Sequence, residues 1–310
     1  MGAAEQSRTE AEIATQPGCW RRAAEVAPGL VGLPAPGERV AVTGCGTSWF
    51  MAQAYAALRE AAGQGVTDAF AASEFPTGRE YDRVVALTRS GTTTEVLRLL
   101  ARLRGGPATV ALTGDPAAPV MTAADDVIVL DFADEESVVQ TRFATTALAL
   151  LRAGLEAHGP LPADVKSVTQ AAVDAELALT QPLPQPVLAS VQWTFLGRGW
   201  TVGLAAEAAL KMREAAGAWS ESYPAMEYRH GPISVTGPGR CAWLLGELPA
   251  GLAADVARTG GYFLADSTAV GLDPMADLVR AQRLAVLVAE AKGYDPDRPR
   301  NLTRSVILDG

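Results

Sequence analysis

From Arg39 onward the chain alternates between short, nearly unbroken apolar runs and longer stretches where apolar positions return every three or four residues. RVAVT (39–43), DRVVALT (82–88), ATVALTG (108–114) and DDVIVLD (125–131) are short and rich in β-branched residues. They lack the strict alternation of a half-solvated strand, so they predict strands buried on both faces. Helical periodicity predicts helices over 48–62, 92–104 and about 138–157. Before these, residues 9–27 read as a capped amphipathic helix, with Thr9 ahead of acidic residues and apolar Ile13 and Val26 further on. Two Pro-rich stretches, HGPLPAD (158–164) and QPLPQP (181–186), bracket one more helix.

After them the same order restarts. VQWTFLG (191–197) reads as a strand, Gly197-Arg198-Gly199 as a turn, and TVGLAAEAALKMREA (201–215) as a helix. CAWLLGE (241–247) and GYFLAD (261–266) are further strands, and 274–292 is a closing helix. Buried strands separated by helices predict an α/β fold of two tandem αβα sandwich subdomains, each a parallel sheet flanked by helices. The expected division is an N-terminal helical segment (1–34), a first subdomain (35–160), a helix and Pro-rich linker (161–186), and a second subdomain with a C-terminal tail (187–310). GCGTS and GRGWT follow the first strand of their respective halves, the trace of a duplicated unit.

Composition narrows the function. With 48% hydrophobic and 20% charged residues in 310, the chain is an ordinary globular protein with room for two cores. A net charge of −9 argues against a nucleic-acid partner, which would require a basic face, but leaves room for a small anion at a local positive site. Cys19, Cys45 and Cys241 form no CxxC pair, favouring a reducing compartment and no metal. No apolar run reaches membrane-spanning length, and the start, MGAAEQSRTEAEIATQPG, lacks the apolar core of a signal peptide. The expectation is therefore cytoplasmic, with no membrane association.

Candidate chemistry begins in two turns. TGCGTS (43–48) follows the first strand and opens a helix at Ser48; LTRSGTTTE (87–95) follows the second and opens one at about Thr92. A helix N-terminus presents unpaired N–H groups to an anion, glycine admits close approach, and hydroxyls add donors. Capping alone would explain one Ser or Thr at each turn. Ser90-Gly91-Thr92-Thr93-Thr94 exceeds what one cap requires, and both turns lie where parallel sheets bind ligands. A dinucleotide is disfavoured because Trp49 stands where a third glycine would allow helix packing; a phosphate monoester fits better.

Further along, Lys211 and Glu214 are spaced i, i+3 and share a helical face, an arrangement that also suits a plain surface ion pair. His230, one of two histidines in the chain, precedes Gly231-Pro232, which ends an element and turns the imidazole toward a loop or cleft.

GCGTS, TRSGTT, ALKMRE (209–214), EYRHGP (227–232) and DRPRNLTRSV (297–306) together resemble the sugar isomerase (SIS) family of phosphosugar enzymes. The likeness covers roughly residues 35–310 and is strongest to the isomerase half of glucosamine-6-phosphate synthase and to aminosugar-phosphate isomerases and deaminases. The resemblance implies a substrate phosphate held by Ser48, Thr88, Ser90 and Thr93 beside Gly46 and Thr47. It implies that Glu214 moves the proton between C2 and C1, with Lys211 near the sugar oxygens, and that His230 opens the ring, reaching the site of a second subunit in a homodimer. Departures from the synthase are Arg89 in the serine-rich turn, which places a fixed charge near the phosphate, Gln140 in place of serine, and Arg304 in place of lysine. Arginine stabilises an anion but cannot act as a base. A chain starting MGAAEQ has no room for the synthase's glutamine-hydrolysing domain, so nitrogen transfer from glutamine is not expected.

The implied reaction on a 2-amino or 2-acetamido hexose 6-phosphate is ring opening, loss of the C2 proton to Glu214, and an enolate stabilised by Lys211 or Arg304, without metal or cofactor. Reprotonation at C1 gives isomerisation and, with a free amine, deamination; expulsion of the C3 hydroxyl gives dehydration. A non-catalytic phosphosugar sensor is the alternative outside enzymology, since a fold does not fix an activity.

Overall fold

A computed structural model of the chain describes residues 6–266 and 271–308; the ends of the sequence-derived segments at 1–5 and 309–310, and positions 267–270, lie outside the described residues. Two compact units form. The first, which carries the hydroxyl-rich turns, comprises Gly18–Glu135, Arg142–Thr169 and Thr303–Gly310. The second comprises Met1–Pro17, Glu136–Thr141 and Gln170–Leu302. The division therefore crosses the linear order, passing through helix α1 (Arg8–Val26) at Pro17 and assigning the tail to the first unit.

The first unit holds a sheet of five parallel strands: β1 (Val40–Gly44), β2 (Thr67–Ala71), β3 (Arg83–Leu87), β4 (Ala108–Thr113) and β5 (Asp126–Val129), in the order β2-β1-β3-β4-β5. Every residue of β1 is buried, as expected for a strand covered on both faces. Its helices are α2 (Thr47–Ala61), α3 (Thr94–Leu103) and α4 (Arg142–His158). Residues 143–155 of α4 are buried all round its circumference, which marks it as an interior helix rather than an amphipathic cover.

Helix α5 (Val168–Thr180) and the single turn α6 (Gln185–Leu188) lead to the second sheet. Its parallel strands β6 (Gln192–Gly197), β7 (Ser220–Pro224), β8 (Arg240–Leu245) and β9 (Tyr262–Leu264) run in the order β7-β6-β8-β9. Helices α7 (Thr201–Ala216), α8 (Leu252–Thr259) and α9 (Pro274–Ala291) complete this unit. In α9 the Asp273 side chain caps the helix by accepting from the Met275 N–H.

Three elements escape the sequence pattern for one reason. TDAFA (β2) and SESYP (β7) are edge strands, only partly buried, so neither shows a continuous apolar run. LAADVART (α8) buries just Leu252 and Val256, too few to register as a period. Helix boundaries also move: α4 begins at Arg142 rather than 138, leaving Gln140 in a loop, and α3 begins at Thr94, leaving Thr92 in the turn and Thr93 as its N-cap.

The second core contains a buried charge cluster. Asp277 accepts from the Trp243 indole at 3.0 Å and from Arg280 at 3.0 Å, and Arg280 also reaches both oxygens of Asp266 at 2.9 and 3.1 Å. Desolvation, opposed by Arg280 and the Trp243 hydrogen bond, pushes the Asp277 carboxyl up to about 6 from 3.8. A folded-state value above the unfolded one means stability is greatest when the group is protonated and is lost as pH rises through 6. Relative to Asp277→Asn, the wild-type chain is expected to lose about 2 kcal/mol between pH 4 and pH 7. Denaturant titrations of both proteins at several pH values check this; parallel curves would contradict it.

Candidate functional site

In a sheet ordered β2-β1-β3-β4-β5, the chain passes to opposite sides of β1 after β1 and β2, so the β1 and β3 carboxyl ends flank the switch point where such sheets bind ligands. Both hydroxyl-rich turns leave the sheet there. The β1 turn is forced by Gly44: a Cβ on it would lie 2.5 Å from the Ser48 Cβ and 3.0 Å from the Leu87 carbonyl. That close approach seats Thr47 and Ser48, both buried, in the first turn of α2 directly after the exposed Gly46. Gly197 meets Thr201 in the same way at the end of β6, the structural counterpart of the GCGTS/GRGWT likeness. Cys45, inside the turn, stays a thiol at neutral pH, because burial and then the Glu95 carboxylate push it up to about 11.

The β3 turn is shaped by Gly91, whose φ of +61° and clearance of 2.5 Å to the Ala118 Cβ exclude a side chain. Thr88 is buried and its hydroxyl has no hydrogen-bond partner among the described residues. Ser90 accepts from the Thr92 N–H at 3.3 Å and from the Thr92 hydroxyl at 3.0 Å. The tail joins this cluster. Ser305 Oγ lies 2.9 Å from the Thr92 hydroxyl and 3.4 Å from the Thr93 hydroxyl, and the Thr94 N–H donates to the Val306 carbonyl at 3.2 Å. No local signal in the sequence marks Ser305, because only the folded tail brings it to the turn.

Arg89, expected near the phosphate, and Arg304, expected to stabilise the enolate, are both engaged by protein groups. Arg89 is buried, with its guanidinium 3.9 Å from the Glu135 carboxylate and donating to the Arg304 carbonyl at 3.0 Å. Arg304 forms a forked pair with both oxygens of Asp134 at 2.7 Å and donates to the Glu135 carbonyl at 2.5 Å. Here both arginines fasten the tail beside the hydroxyl turns.

In the second unit, α7 carries the proton-transfer candidates. Lys211 is 1% exposed, which removes the surface ion-pair explanation. Its ammonium donates to Glu214 and lies 3.3 Å from Glu207. Glu207 was not singled out in the sequence, although a carboxylate at i−4 from Lys211 falls on the same face by helical spacing. Glu214, with its side chain 20% exposed, borders a cavity of about 350 Å³ whose other walls include Arg213, Tyr294, Arg298, Arg300 and Asn301. Desolvation holds Arg213 below its ordinary range, opposed by Glu214 and Glu207.

His230 closes a short 3₁₀ turn, Glu227–His230. Tyr228 is fully buried and bonded to Thr236, and Arg229 is clamped by Asp255 at 2.6 Å and the Ala250 carbonyl at 2.6 Å. These anchors hold the next residue, His230, exposed to solvent. Gln140, in its loop, has a buried side-chain oxygen without a hydrogen-bond partner among the described residues. Among the described residues, no group of three or more His, Cys, Asp or Glu is arranged to hold a metal ion, and no helix is long and apolar enough to cross a membrane.

Residues 35–156 match the SIS domain family. The chain is 28% identical over 300 residues to the isomerizing glutamine–fructose-6-phosphate aminotransferase of Sulfurisphaera tokodaii, a match covering 88% of this chain and 50% of that protein. It thus spans about half the length of the curated relatives it matches. Among solved structures, glucosamine-6-phosphate deaminase from Thermotoga maritima superposes with a TM-score of 0.81 at 21% identity, covering 97% of this chain and 100% of the other. Tagatose-6-phosphate ketose/aldose isomerase from Escherichia coli superposes with a TM-score of 0.73 at 19% identity, covering 99% and 98%. At these identities the superpositions establish the fold.

Proposed function

With residues 35–156 a SIS domain, we propose that the chain is an aminosugar 6-phosphate isomerase/deaminase. The hydroxyl turns after β1 and β3 take the phosphate, and Glu214 is the base. The observation that carries the reading is the carboxylate of Glu214, held against the buried Lys211 ammonium at the wall of a cavity.

In the proposed step the C2–H bond breaks, the proton passes to Glu214, and the electron pair forms the C1–C2 double bond as the aldehyde oxygen becomes an enolate. Lys211 offers its positive charge to that oxygen. The hydroxyl or amine proton on the C2 substituent moves to O1, and return of the other proton at C1 then gives the 2-ketose from a hydroxyl substrate or the 2-imine from an amine; water hydrolyses the imine and ammonia leaves. The relatives named for phosphosugars and the empty demand of the Thr88 hydroxyl support the substrate class.

The test incubates the protein in deuterated water with glucosamine 6-phosphate and, separately, its N-acetyl form. NMR is expected to show deuterium entering at C1 or C2, with ammonia released from the free amine. A new alkene proton from the N-acetyl sugar would replace the reading by elimination of the C3 hydroxyl. Binding without exchange would replace it by a sensor.

We assign ring opening to His230, supplied by a neighbouring copy in a homodimer, since the imidazole is exposed on a rigidly anchored turn. Mixing inactive Glu214→Gln and His230→Ala proteins under subunit exchange is then expected to restore up to about a quarter of wild-type activity, because one intact composite site forms in each mixed dimer. No restoration would place the histidine in its own chain's site.

A further inference from the structure

The turn that presents His230 also presents an acid with no partner in its own chain. Glu227 opens the 3₁₀ turn Glu227–His230, is exposed, and makes no ion pair or side-chain hydrogen bond among the described residues. The two residues between them face inward or are tied down: Tyr228 is buried, and Arg229 is held by Asp255 and the Ala250 carbonyl. Side chains at i and i+3 of a 3₁₀ turn eclipse, so Glu227 and His230 leave on one side. The cavity beside Glu214 shows the converse. Arg213, Arg298 and Arg300 line it, and none of the three forms an ion pair among the described residues. Arg213 donates to the Ser220 carbonyl at 2.9 Å and Arg300 lies 4.1 Å from the centre of the Tyr294 ring, and neither partner is an anion. Of the two acids on the wall, Glu214 accepts from Lys211, and Asp295 accepts from the Asp297 N–H at 2.9 Å. The arginine loop is pinned: Pro299, between Arg298 and Arg300, is buried, and the Asp297 carboxylate accepts from the Arg8 and Thr9 N–H groups at 2.9 and 2.8 Å.

We propose that this cavity docks the Glu227–His230 turn of a second copy of the chain, and that Glu227 is a positioning residue whose carboxylate pairs with Arg298 and Arg300 there. The inference rests on the reading of His230 as supplied by a neighbouring copy. A histidine that serves the Glu214 of another chain has to arrive at this cavity. The turn that brings it offers an unpaired carboxylate, and the wall that receives it offers unpaired guanidinium groups. A guanidinium takes a carboxylate through two parallel N–H bonds, so the pair fixes orientation as well as contact. With Glu227 seated on the arginines, the imidazole on the same side of the turn is set against the wall that holds Glu214. Arg229, spent on Asp255, adds no competing cation to the joint.

Charge reversal on each side of the joint tests it in the full-length protein. Glu227→Arg, and separately Arg298→Glu/Arg300→Glu, are expected to lower kcat for C2 exchange about 10- to 100-fold with KM within about threefold, because delivery of the imidazole suffers and the hydroxyl turns are untouched. All three residues are exposed, so both proteins should fold. The two variants are then mixed in equal amounts under subunit exchange. Half of the dimers are mixed, and each of these has one joint in which native arginines face a native Glu227. At least about a quarter of wild-type activity is therefore expected to return. Glu227→Gln mixed with the arginine variant provides the same comparison without a reversed charge on the turn.

A residue that merely supports its own fold would show no recovery, since each chain in the mixture keeps its own defect. No recovery here, with recovery in the Glu214→Gln and His230→Ala mixture, overturns the latch, leaves the histidine in trans, and gives the arginines to a small anion instead. Unchanged kcat in Glu227→Arg overturns it as well. Failure of both mixtures overturns the shared site first, and the latch with it.

Discussion

Glu214→Gln is expected to lower solvent-deuterium exchange at C2 by about 10³-fold or more, since a positioned general base contributes 10²–10⁴ and an amide cannot accept the proton. The substitution is close to isosteric. Its carbonyl can still accept from the Lys211 ammonium, and Glu207, 3.3 Å from the same nitrogen, keeps that buried charge compensated. The fold should therefore persist, and affinity for the sugar phosphate, read by calorimetry, should remain within a few-fold of the wild-type value. This combination of retained binding and lost exchange separates a base from a residue that shapes the cavity. Full activity in the variant would move the proton transfer elsewhere; loss of binding along with exchange would make Glu214 a structural or binding residue.

The Ser90→Ala/Thr93→Ala double variant should show the opposite signature. Each hydroxyl offered to a phosphate is worth about 1.5–3 kcal/mol as a hydrogen bond to a charged group, so losing both is expected to raise KM about 10²- to 10⁴-fold while kcat changes by less than about threefold. The phosphate is remote from the bond changes at C1 and C2, which is why binding rather than turnover should suffer. Ser90 also accepts two bonds from Thr92, and Thr93 approaches Ser305, so part of the effect will come through the turn and tail. Thr88→Val provides the cleaner comparison, because its hydroxyl has no partner to lose among the described residues. A collapse of kcat at constant KM would show that these hydroxyls do not bind the phosphate.

The turns and the helix that carry the candidate residues were legible in the sequence. Ser48, Thr88, Ser90 and Thr93 sit in turns that follow apolar runs, and a turn after a buried parallel strand must emerge at the carboxyl edge of a sheet. The strand order, with β1 between β2 and β3, then puts both turns at the switch point. Lys211 and Glu214 could be placed on one face because helical spacing is a local property. Whether that face was solvated or buried could not be read locally, since TVGLAAEAALKMREA carries alanine on almost every side and so gives no distinct apolar stripe. Glu207 was hidden for the same reason.

Local periodicity was enough to establish two parallel α/β sheets, the turns that leave them and the helix that carries Lys211 and Glu214, because backbone geometry ties residue spacing directly to facing. The destination of each charge was another matter. Arg89 read as a cation for a phosphate and Arg304 as one for an enolate, yet Glu135 and Asp134, far away in sequence, receive them. Ser305 reaches Thr92 across 213 positions, and Asp277 meets Trp243 and Asp266 in the second core. An ion pair or a buried hydroxyl is decided by which groups are desolvated together, and desolvation depends on the whole packed chain rather than on any window of it.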